Sequence, residues 1–127
     1  MLGLGRRKFV IAVGIFAFLA FCWVGFRHYR CLKRRKALHQ QIAHLERDAK
    51  QQLRPGTTKS VLAQFFAERE MHLNIYNSEA SGDLDTSGCS PVGCGTDAFI
   101  IIVRVKLDEA GVVKEAPRVS GLYTNCL

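Results

Sequence analysis

The stretch that most constrains this chain is "FVIAVGIFAFLAFCWVGF", Phe9 to Phe26, which carries no charge. As a helix rising 1.5 Å per residue it spans about 27 Å, close to the roughly 30 Å hydrocarbon core of a bilayer. Arg6, Arg7, Lys8 and Arg27 bracket it, and Trp23 and Tyr29 fall toward its far end, where amphipathic rings favour the headgroup region. A cleaved signal peptide begins the same way. Its apolar core would be shorter, and no good small-x-small site follows, Ala20-Phe21-Cys22 being the nearest approach. "LAFC" likewise falls short of a lipoprotein box, because Phe21 stands where a small residue is needed. The run reads as an uncleaved single-pass anchor over 9–26, preceded by a basic tail over 1–8.

With 127 residues in all, one small domain is left beyond the anchor. The net charge of +7 is unevenly spread. Residues 1–54 hold twelve Lys and Arg against Glu46 and Asp48, +10; residues 55–127 hold six against nine acids, −3. The basic character therefore belongs to the membrane-proximal half, and it argues for a lipid surface and against nucleic acid. Arg27, Arg30, Lys33, Arg34, Arg35 and Lys36 form a cluster just past the span, suited to anionic headgroups at about 1 kcal/mol per residue. Counted by the positive-inside rule, that cluster keeps the C-terminal part in the cytoplasm, whereas a short "RRK" tail ahead of the apolar run is typical of a signal anchor that sends it out.

From Arg27 to Arg54 there is neither Gly nor Pro, and Leu38, Ile42, Leu45, Ala49 and Leu53 recur at helical spacing. The prediction is a basic helical stalk over 27–54 that continues the membrane helix. Its apolar seam has two uses, a homodimer through the stalk or packing back on the chain's own domain. His39 and His44 are five apart, off a common face, and read as solvated.

Pro55-Gly56 ends the stalk, and "TTKSVLAQFF" starts a helix with Thr57 or Thr58 as its N-cap and Val61, Leu62, Phe65 and Phe66 as its apolar face. "AFIIIVRVKL", 98–107, reads as a strand with Val103, Val105 and Leu107 on one face and Arg104 and Lys106 on the other. Asp108 to Gly111 is a hairpin connection to "GVVKEAPRVSGLY", and "LNIY", 73–76, is a third strand. The expected fold class is α+β: the membrane helix and stalk, then a domain over 55–127 of one helix on an antiparallel sheet of two to three strands, with a cysteine-containing loop over 77–97.

The capped "PGTTKSVLAQFF" helix and the "FIIIVRVKLDEAGVV" strand, turn and strand together resemble the SmpA/OmlA (BamE-like) small envelope domains, over residues 55–123. The chain departs from that pattern in having a membrane span in place of a lipid-modified cysteine, and a polar loop with two cysteines. The resemblance implies a periplasmic domain that binds other envelope proteins and transfers no catalytic residues.

All four histidines lie at or before His72, which leaves the serines and cysteines of the C-terminal part without an imidazole, and no nucleotide-binding or zinc-protease motif is present. The expectation is a non-enzyme without a cofactor. "DLDTSG" places Asp83, Asp85 and Ser87 at positions one, three and five of a calcium loop, but position twelve is Cys94 where a bidentate Glu is required. An exposed polar turn is the alternative reading of that stretch.

Cys22 lies in the span and Cys31 just beyond it, leaving Cys89, Cys94 and Cys126 in the domain. As a zinc site these three lack a fourth ligand. As disulfide candidates they fit better: a Cys89 to Cys94 bridge would contribute about 2 kcal/mol, and Cys126 joined to either would contribute about 4 because it closes a longer loop. A disulfide implies an oxidising compartment. The leading reading is a single-pass membrane protein presenting an extracytoplasmic, periplasmic if bacterial, domain to an envelope protein. The contrasting readings are a cytoplasmic-facing lipid-binding stalk and a metal site at the three cysteines.

Overall fold

The structure, a computed structural model, describes residues 3–126. It contains two helices, α1 (Gly3–Gln52) and α2 (Lys59–Ala67), and four strands, β1 (His72–Tyr76), β2 (Glu79–Ser87), β3 (Ala98–Lys106) and β4 (Arg118–Tyr123). The chain divides into two compact units, Met1–Arg34 and Arg35–Leu127.

In the first unit the helix is exposed throughout residues 9–26. Its most apolar 18-residue window has a mean hydropathy of 2.5, with none of it buried. An apolar helix exposed along this length is long enough to cross a bilayer, and burying its surface in lipid is favourable by about 25 cal/mol per Å2. This is a candidate membrane anchor. The helix begins at Gly3, so residues 3–8 of the expected basic tail are helical; residues 1–2 lie outside the described part.

The second unit opens with the remainder of α1. Leu38, Leu45, Ala49 and Leu53 are buried in a single core with Leu62, Phe65 and Phe66 of α2 and with the inner face of the sheet; Ile42 packs against its margin. The seam read from the sequence is thus turned onto the chain's own domain. Pro55 biases Arg54 away from helix, and Gly56, at φ 96°, turns the chain, its N–H donating to the Val113 carbonyl at 2.8 Å. Thr58 takes the N-cap position in an extended conformation, with its carbonyl accepting from Leu62 N–H at 3.1 Å. At the other end of α2, Glu70 adopts a left-handed φ of 54°, and Met71 N–H donates to the Phe66 carbonyl at 3.0 Å while Glu70 N–H donates to that of Ala67 at 3.1 Å. That is a Schellman closure made without glycine, with Met71 folding into the core as its hydrophobic seal.

The sheet is an antiparallel meander in the order β1-β2-β3-β4. Four strands replace the two to three expected, and the polar stretch 77–97 is not wholly loop: residues 79–87 pair along their length with β3. Gly82, Asp83 and Asp85 disguise that strand, since glycine and aspartate are depleted in strands. Packing dictates the glycine. A Cβ at Gly82 would lie 2.3 Å from the Phe66 ring, so the ring of α2 sits directly on the strand backbone. β3 follows its predicted alternation, with Phe99, Ile101, Val103 and Val105 inward and Arg104 and Lys106 exposed. Beyond it, Asp108 Oδ1 accepts from the N–H groups of Ala110 and Val112 at 2.9 and 2.8 Å, closing a turn that returns Val113 opposite Leu107.

Candidate protein-interaction surface

Helices and loops cover one face of the sheet, and the register defines the other. Reading across from β1 to β4, the outward rows are Tyr76, Glu79 and Lys106; then Asn74, Ser81, Arg104 and Arg118; then His72, Asp83, Ile102 and Ser120; then Asp85, Ile100 and Leu122. The face is polarised. Asp83 and Asp85 flank half-exposed isoleucines in one half, while Arg104, Lys106 and Arg118 gather in the other. Within the basic half, Lys106 Nζ lies 3.1 Å from Glu115 and Arg104 Nε lies 3.9 Å from Glu79. The hydrogen bond and the charge of Lys106 hold the Glu115 carboxyl below its ordinary titration range. Arg118 stands directly opposite Arg104 and makes no ion pair among the described residues.

At one end of the sheet the segment Gly88 to Asp97 forms a loop closed by several independent contacts. Gly88 N–H donates to the Asp97 carbonyl at 2.9 Å, and Ser90 donates from both N–H and hydroxyl to Asp97 Oδ1 at 3.0 and 2.9 Å. Tyr123, stacked edge-on to Phe99 at 4.8 Å between ring centres, donates its hydroxyl to the Cys89 carbonyl at 2.8 Å. Gly88 is again a packing glycine, because a Cβ there would come within 2.7 Å of that hydroxyl. Cys94 and Cys126 form a disulfide with 4.2 Å between Cα atoms, across a bridge that sets the two residues opposite each other. The terminal cysteine therefore ties β4 to the loop. Val92, at the tip, is fully exposed.

Of the three domain cysteines, Cys94 and Cys126 join, and Cys89 is a half-cystine as well. Cys31 is also a half-cystine, which leaves Cys22 as the free thiol. Sequence reasoning sets Cys31 aside as a membrane-proximal residue. The signal it misses is the even count of four cysteines beyond the span. A zinc site at Cys89, Cys94 and Cys126 is incompatible with this bonding, since a half-cystine has no thiolate to give. Asp83, Asp85 and Ser87 lie on β2, alternating along its outward face, and do not wrap into a calcium loop, which needs a turn around its sixth residue.

The basic residues past the span are exposed along α1. Arg27 lies 5.1 Å over the Trp23 ring and Arg30 5.3 Å over that of Phe26. His44 sits 3.1 Å from Asp48, which also meets Arg69 at 3.4 Å, while the Arg69 guanidinium covers Phe65 at 3.9 Å. His44, Asp48 and Arg69 line an open pocket of about 480 Å3, with Leu45 and Leu84 as its apolar wall. His39 is exposed. A second opening, a cleft of about 500 Å3, runs between Glu46 and Lys50 of α1 and residues 115–119 at the start of β4.

No family model, curated protein or solved structure matches the chain.

Proposed function

We propose that this chain is a single-pass membrane protein whose disulfide-bonded α+β domain stands outside the cytoplasm and works, without catalysis, by binding another protein of the envelope. The observation that carries the reading is the Cys94 to Cys126 disulfide. Reducing compartments keep thiols reduced, so a structural disulfide supports an oxidising side for the domain. An apolar helix near the N-terminus supports a membrane anchor at 9–26. On this reading the "RRK" tail stays inside and the larger basic cluster is carried out, against the positive-inside count. A polarised open sheet face and a braced loop tip suit protein recognition, because preformed surfaces lose little entropy on binding. The SmpA/OmlA resemblance over residues 55–123 belongs to the same proposal, since it implies a periplasmic domain that binds other envelope proteins.

The orientation is tested by introducing a single reporter cysteine at half-exposed Ser81, on the outward face of the sheet, in a chain whose Cys22 is replaced by Ala, then treating intact cells with a membrane-impermeant maleimide. Labelling of Ser81→Cys without permeabilisation is expected. Labelling that requires permeabilisation assigns the domain to the cytoplasm and favours the lipid-binding stalk instead.

A further inference from the structure

β4, with β1 one of the sheet's two edge strands, leaves one edge without a neighbour among the described residues, and its polarity can be read from the register. Thr124 N–H donates to the Ala98 carbonyl at 3.0 Å, so 124 and 98 form a hydrogen-bonded pair. In an antiparallel ladder bonding alternates by residue, which gives Leu122, Ser120 and Arg118 to β3 and turns the N–H and C=O groups of Val119, Gly121 and Tyr123 away from it. Such an edge is a template for another strand, and a monomer commonly blunts it with a bulge, a proline or a covering segment. Here Pro117 precedes the strand and none lies within it; the disulfide ties down its far end.

Charge identifies the occupant. Arg118 faces Arg104 across the ladder, an arrangement that is unfavourable by itself; Glu79 partly balances Arg104, and Arg118 feels Glu115 only at a distance, since the ion pair of that carboxylate is with Lys106. A carboxylate on the far side of Arg118 would resolve the conflict. The cleft bounded by Glu46, Lys50 and residues 115–119 opens along this same end of β4 and leaves room for side chains of an added strand.

A second copy of this chain does not fit. Its own β4, Arg118–Tyr123, carries no carboxylate, so two β4 strands paired edge to edge would offer Arg118 no acidic partner. We therefore infer that β4 accepts an extended segment of a different protein, added as a fifth strand and bearing an acidic side chain beside Arg118. This inference rests on the interaction role proposed above and specifies its surface.

The test uses the full chain in nanodiscs of zwitterionic lipid and, as probe, a synthetic heptapeptide Thr-Val-Glu-Val-Glu-Val-Thr, with a Glu-to-Lys counterpart. Amide hydrogen exchange is followed residue by residue. In the free protein, Val119, Gly121 and Tyr123 are expected to exchange fast and Ser120 and Leu122 slowly. The acidic peptide should slow the first three, bind about tenfold more tightly than the lysine peptide, and lose that preference in Arg118→Glu. A Val119→Pro variant, which removes an edge-facing N–H and keeps the ladder to β3, should retain slow exchange at Ser120 and Leu122 and lose peptide binding. Equal binding of the two peptides, or binding without protection of the three edge amides, overturns the inference. So does slowing of those amides by anionic phosphatidylglycerol vesicles alone, which would make the edge a lipid contact. Because the nanodisc experiment is blind to orientation, its failure leaves the Ser81→Cys labelling result standing, and a cytoplasmic labelling result leaves the edge measurement standing.

Discussion

Gly82 shows how much of this fold is decided by a missing atom. The Phe66 ring is fully buried and occupies the place of a Cβ on the central strand β2, so the approach of α2 to the sheet is fixed there. A ring enclosed in a core cannot swing aside as an exposed side chain would. Gly82→Ala should therefore destabilise the domain by about 1–3 kcal/mol through overpacking, read as a lower urea midpoint of the full chain in detergent. Ser81→Ala, one residue along and on the outward face, should stay within about 0.5 kcal/mol. The same glycine hides the strand from a reading of the sequence. "EASGDLDTS" offers Ala80, Gly82 and Leu84 as its inward positions, a stripe too small to register as hydrophobic alternation. What makes it a strand lies elsewhere in the chain, in Phe66 and in the apolar residues of β3. Glu70 is a comparable case: a left-handed helix stop carried by a glutamate gives no glycine to read.

At the scale of elements, the second half of α1 is as much a part of the domain as the strands are. Leu38, Leu45, Ala49 and Leu53 are legible as a seam because their spacing survives without knowledge of a partner. Which partner the seam meets is not legible, since a second copy and the sheet's inner face are equally apolar. Ala49 and Leu53 are fully buried in the chain's own core, and self-association through this seam would have to give that burial up. Leu53→Ala should cost about 2–5 kcal/mol, as buried leucine truncations do, whereas exposed Gln51→Ala should cost no more than about 0.5 kcal/mol; denaturant melts of the two variants compare them directly. Comparable small effects would mean the stalk merely adjoins the domain. β3 is legible for the opposite reason to β2: it is long, β-branched and half buried, so its pattern matches its environment. The open face and the free edge of β4 are properties of strand order, which no single segment encodes.

Over the whole molecule, charge and sulfur point to opposite topologies. The basic cluster after the span argues for a cytoplasmic domain, and the half-cystines argue for an oxidising one. The proposed topology follows the bonding, because a disulfide that joins residues 32 apart contributes about 4 kcal/mol only where it can persist. The direct test is a count of thiols in the protein as it stands in the cell. Cells expressing the chain are quenched in acid, the protein is denatured, and free thiols are tagged with a maleimide-linked polymer before and after reduction. The account predicts that Cys22 alone is tagged before reduction and that all five cysteines are tagged after it. Five tags before reduction would place the domain in a reducing compartment and contradict the extracytoplasmic assignment.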